Sequence, residues 1–125
     1  MIIKETATKY YNPVLEKSFL FSVRIVRFYK VKSQNNYNLN SLFKQLLRSG
    51  TSIGANVSEA QSAFTKKDFI NKLGISLKES RETEFWLKLL KASEIISEKE
   101  FKSLFSDCEE LSKLLTAIIK SSKKN

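Results

Sequence analysis

Histidine is absent from this sequence, cysteine and proline occur once each, and glycine occurs three times. Without histidine, and with Cys108 as the lone thiol, the common zinc-ligand sets and the Ser-His-Asp and Cys-His arrangements are excluded. Any catalysis would rest on carboxylates and lysines, and no cofactor, metal or small-molecule substrate is expected. One cysteine cannot close an internal disulfide, and the opening residues MIIKETATKY lack the apolar run of a secretion signal, so a cytoplasmic location is expected. No segment approaches the roughly 20 apolar residues that span a bilayer, which predicts no membrane partner. So little proline and glycine leaves too few turns for an all-β fold. The expectation is an all-α chain of one domain over residues 1–125.

What the chain does have is positive charge, a net +9, unevenly placed. Residues 1–50 hold nine Lys and Arg against two acids, whereas residues 51–125 hold thirteen against eleven. A basic front suggests an acidic partner such as nucleic acid; a solubilising surface is the alternative.

Apolar residues at steps of three and four predict four helices, over about residues 13–32, 41–62, 66–93 and 98–121, with a frayed basic tail at 122–125. Asn12 and Pro13 suit the cap and first position of the first helix, and the asparagines of SQNNYNLN suit the cap of the second. Thr65 with Asp68, and Ser97 with Glu100, read as the starts of the third and fourth. The fourth helix has one stripe: Phe101, Leu104, Phe105, Cys108, Leu111, Leu115, Ile118 and Ile119. The first has two, Leu15, Phe19, Val23 and Val26 forming one and Phe21, Ile25 and Phe28 a second, well separated around the cylinder. On the third helix Ile75, Phe85, Trp86 and Leu89 stand off the main stripe of Phe69, Ile70, Leu73, Leu77 and Leu87. One core does not easily hide both sets, so Phe21, Ile25, Phe28, Phe85, Trp86 and Leu89 are expected to form an interface between copies. A thick bundle that buries wide helix faces is the alternative.

The glycines of RSGTSIGANVSEAQ raise the question of a phosphate-binding loop, but a P-loop needs a preceding strand and a Gly-Lys-Ser/Thr ending. Periodicity instead continues the second helix through them, placing Gly50 and Gly54 beside the apolar side, where another backbone can come close. Opposite them Arg48, Ser52, Asn56 and Glu59 form a polar ridge. Glu84 falls within the third helix's apolar stripe and needs a partner; Arg48 or Asn56 is expected to bond to it, with Glu82 nearby. These residues are read either as a polar network that registers the helices or as a catalytic carboxylate site.

QLLRSGTSIGANVSEAQ followed by TKKDFINKLGISLKESRETEFWLKLL resembles the signature of the 23S rRNA intervening-sequence proteins. The matching positions are Arg48, Thr51 to Ile53, Ala55 with Asn56, Glu59, Lys66 with Phe69, and Glu82 with Glu84; Ala60 departs, standing where many members have glycine. The resemblance implies an antiparallel up-and-down four-helix bundle that assembles as a ring-like homopentamer. It implies no rRNA binding, since the family name records where some of its genes lie.

Lys17, Arg24, Arg27 and Lys30 follow one strip of the first helix and are the candidate phosphate contacts. The first functional reading is therefore a non-enzymatic homo-oligomeric adaptor for RNA or DNA; the rival is a protein-interaction scaffold. A nuclease would need Glu79, Glu82 and Glu84 to converge on a metal, yet helical spacing sends Glu82 and Glu84 about 200° apart.

Overall fold

The computed structural model describes the backbone of residues 5–124 and the side chains of residues 9–124. These residues form four helices and no strand: α1 (Glu5–Asn35), α2 (Asn40–Ala60), α3 (Lys66–Ala92) and α4 (Glu98–Lys123), with a 3-10 turn at Tyr37–Leu39. Local chemistry sets two of the starts. Thr65 accepts the Asp68 N–H at 3.0 Å before α3. Ahead of α4, Ser97 Oγ accepts the Glu100 N–H at 3.1 Å, and the Ser97 N–H donates to Glu100 Oε1 at 2.9 Å, which closes a capping box.

Other expected boundaries are corrected. Helix α1 runs through Asn12 and Pro13 instead of starting there. The turn before the proline is held by tertiary contact: Tyr11 is buried, its hydroxyl donates to Val57 O at 3.0 Å, and its ring lies 5.3 Å from that of Phe69. This burial pushes the Tyr11 hydroxyl pKa up to about 12. The asparagines ahead of α2 do not cap it, because Asn36 Nδ2 donates back to Lys32 O at 3.0 Å and the N-cap position falls to Leu39, which makes no side-chain bond. Ser122, expected in a frayed tail, is buried on α4; Asn125 lies outside the described residues.

Each helix packs on two others in the circuit α1, α2, α3, α4 and back to α1. Along α2, partners on α3 descend as residues ascend: Ser49 accepts from Thr83 Oγ1 at 2.9 Å, Ile53 O from Ser76 Oγ at 2.8 Å, and Glu59 from Lys72 at 2.9 Å. The shared core contains Phe21 and Ile25 of α1, Phe43, Ile53 and Val57 of α2, Phe69, Leu73 and Leu87 of α3, and Leu104, Cys108, Leu111, Leu115 and Ile118 of α4.

Phe21 and Ile25 of the second α1 stripe, expected between copies, therefore lie in the core, while Phe19 and Val26 of the first turn outward. Phe21 and Ile25 are 2% and 0% exposed, whereas Phe19 and Val26 are 67% and 49% exposed. Small residues decide the choice. A Cβ on Gly54 would lie 2.9 Å from Ser18 O and 3.0 Å from Ser22 Oγ, and one on Gly50 would lie 3.0 Å from Ile25 Cγ1. The serine and glycine surfaces let α1 and α2 approach closely, and that contact turns Phe21 and Ile25 inward. No helix among the described residues is long and apolar enough to cross a membrane.

Candidate nucleic-acid and assembly surfaces

Helix α4 presents Glu100, Ser103, Asp107 and Glu110 at steps of three and four toward α1, and they meet much of the basic strip. Lys17 Nζ lies 2.7 Å from Glu110, and Lys32 Nζ lies 2.6 Å from Glu100. Arg24 pairs with Asp107 and donates to Ser103 Oγ at 2.7 Å. Burial works to raise the Glu100 pKa, but the bonds from Lys32 and from the Ser97 N–H outweigh it, and the carboxyl titrates below its ordinary value. Of the four candidate phosphate contacts, Lys17 and Arg24 thus already have acidic partners. Arg27 and Lys30 are exposed without an ion pair among the described residues. A groove of about 500 Å³ runs beside Arg27, lined also by Arg24, Val31, Lys99, Glu100 and Ser103 among others.

The polar ridge of α2 divides between two destinations. Arg48 Nη1 donates to Glu79 at 3.1 Å, and its Nη2 to Glu82, which also accepts from Trp86 Nε1 at 3.2 Å. The Arg48 bond holds the Glu82 carboxyl below its ordinary pKa and raises that of the guanidinium. Glu59 pairs with Lys72 on α3, while Ser52 and Asn56 donate to carbonyls one turn back, at Arg48 and Ser52, over 2.6 and 2.8 Å. Glu84 is not part of this set. It accepts from Ser112 Oγ on α4 at 2.7 Å, and Ser112 lies 2.7 Å from Ser80 Oγ. The expected bond from Arg48 or Asn56 to Glu84 is absent for a geometric reason: positions 79 and 82 share the α2 side of α3, and position 84 faces α4. The spacing of Glu79 and Glu82 could have revealed Arg48's partners; nothing local signals Ser112. No three potential metal-ligating carboxylate or thiol side chains cluster among the described residues.

The residues expected between copies are also redistributed. Phe21 and Ile25 belong to the core and cannot serve an interface, and Phe28 packs against that core with its ring 6.2 Å from Phe43. Trp86 and Leu89 are half-buried; Phe85 is 55% exposed, with its ring edge-on to Trp86 at 5.1 Å. Further exposed apolar side chains lie on α1, where Phe19, Leu20, Val26 and Val31 stand outward beside half-buried Val23, and at Phe64 and Ile75.

A profile of the family described as 23S rRNA-intervening sequence protein matches residues 11–117. A crystal structure of a protein of unknown function from the S23 ribosomal protein family of Bacteroides thetaiotaomicron VPI-5482 is similar at a TM-score of 0.81 and 50% identity, covering 86% of this chain and 98% of that one. No protein of curated function matches the chain.

Proposed function

We propose that this chain, which belongs to the 23S rRNA-intervening sequence protein family, is a non-enzymatic, homo-oligomeric helical bundle that binds nucleic acid through its positive charge. The observation that carries the reading is the pairing state of the cations. Internal acids meet Lys17, Arg24, Lys32, Arg48 and Lys72, yet Arg27, Lys30, Lys44 and Lys67 remain exposed without an ion pair among the described residues. That excess has no counterpart within the described residues and suits a polyanion. The falling register between neighbouring helices supports an antiparallel, up-and-down bundle. The outward stripe of Phe19, Val23 and Val26 supports contact with further copies, for which the family resemblance implies a ring of five. Glu79, Glu82 and Glu84 are all engaged in bonds that register helices, which favours a structural role over a catalytic one.

The scaffold reading is supported by a separate observation: half of the α1 basic strip is occupied by α4, while the apolar stripe next to it is open. Size-exclusion chromatography with light scattering, followed by RNA titration across a salt series, separates the two. We expect an oligomer that the Phe19→Asp, Val26→Asp double variant reduces to a monomer of unchanged helicity, and RNA binding that weakens steeply with salt. An oligomer that ignores RNA at low salt would leave the scaffold, and a wild-type monomer would remove the assembly.

A further inference from the structure

The outer side of α3 carries a feature that the α1 strip lacks. Lys67, Gly74, Lys78, Arg81, Phe85 and Lys88 follow at steps of seven, four, three, four and three, which stacks them in one row, and all six are exposed. At 1.5 Å per residue the row is about 32 Å long, and it contains no Asp or Glu. Its cations are largely uncommitted. Lys67 and Lys78 make no ion pair among the described residues, though the Lys78 charge acts on Glu82; Arg81 is 61% exposed and reaches Glu84 only at 3.8 Å; Lys88 lies over the Phe105 ring at 5.4 Å.

Gly74 adds an independent observation. A mid-helix glycine costs about 1 kcal/mol against alanine. Gly50 and Gly54 have a reason within the chain, the close approach of α1, whereas a Cβ on Gly74 would meet nothing within 4 Å. The helix backbone there is open to whatever rests against it from outside. Phe85, in the same row, points to its chemistry. A half-exposed aromatic among cations offers a flat face for a nucleobase. A protein partner fits poorly, because the cores of protein interfaces are depleted in lysine. A duplex fits poorly as well, because its bases are already stacked on each other.

We propose that this row of α3 binds single-stranded nucleic acid, with phosphates at Lys78, Arg81 and Lys88, a base stacked on Phe85, and the strand passing flat over Gly74. The inference rests on the nucleic-acid reading above and gives it a place and a strand type. Fluorescence anisotropy on the full-length protein tests it, using a short labelled single-stranded RNA, its DNA equivalent and the RNA duplex over a salt series. Both single strands bind more tightly than the duplex. Phe85→Ala weakens single-strand binding about tenfold, and Phe85→Trp restores it. Lys78→Ala with Arg81→Ala lowers the slope of log affinity against log salt by about 0.7 per cation removed. Lys44→Ala, an exposed cation on α2 and not a member of the row, reports the effect of lost net charge, and thermal melts confirm that each variant is folded. Binding that survives intact in the α3 variants but is lost in Arg27→Ala with Lys30→Ala overturns the α3 site and leaves the nucleic-acid reading standing. Duplex preference also overturns the α3 site. Wild-type protein that binds no probe at low salt overturns both.

Discussion

Three glycines on helices answer to three different neighbourhoods, and alanine at each should report them. At Gly54 the obstacle is Ser18 O, a backbone atom 2.9 Å from the added carbon, so Gly54→Ala should force the helices apart and cost about 1–3 kcal/mol. At Gly50 the obstacle is the side chain of Ile25, which can shift, so the loss there should be smaller. At Gly74 nothing opposes the methyl group, and Gly74→Ala should add about 1 kcal/mol. Urea denaturation of the three variants checks the order; a destabilising Gly74→Ala would contradict the open environment described. The close packing of Gly50 and Gly54 was legible in the sequence from their place beside an apolar face, but the identity of the approaching helix was not. Glu84 shows the same limit. Its need for a partner could be read from its apolar neighbours, whereas Ser112 lies 28 residues away on another helix. A donor at that separation leaves no local pattern.

At the scale of an element, helix α1 marks where periodicity stops being informative. Two stripes at helical spacing say that two faces are apolar, not which one turns inward. That choice was made by Ser18, Ser22, Gly50 and Gly54, whose small size concerns a pair of helices and not one. Helix α4, with one stripe, was read correctly from sequence for the same physical reason. The end of α3 carries a second lesson. The Ile95 N–H donates to Leu90 O at 2.9 Å, and the Glu94 N–H donates to Lys91 O at 2.9 Å, so the helix ends in a Schellman motif with Glu94 at the left-handed position, φ 60°. Glycine is favoured there because a Cβ is strained. Glu94→Gly should raise stability by about 1 kcal/mol, seen as a higher urea midpoint with an unchanged slope; a lower midpoint would mean that the Glu94 side chain contributes more than its backbone strain removes.

On the scale of the molecule, the acids of α4 matter as much as the cations they meet. The basic strip of α1 was legible as a strip, but its neutralisation was not, because Glu110 and Lys17 are 93 residues apart and only the closed circuit of helices brings them together. The exposed cations left without an ion pair among the described residues are consequently spread over α1, α2 and α3, at Arg27, Lys30, Lys44, Lys67 and Lys78. The same closed circuit places Cys108 where all access is lost: the thiol is 0% exposed, donates to Ser80 O at 3.3 Å, and is held protonated by a burial that raises its pKa. A small alkylating reagent can reach it only when helices separate, and the chain has no second thiol to confuse the signal. Cys108 is thus a built-in reporter of opening. Its alkylation should proceed at the rate of whole-bundle unfolding and slow in step with Glu94→Gly, whereas fast labelling in native buffer would reveal that α3 and α4 part without the rest.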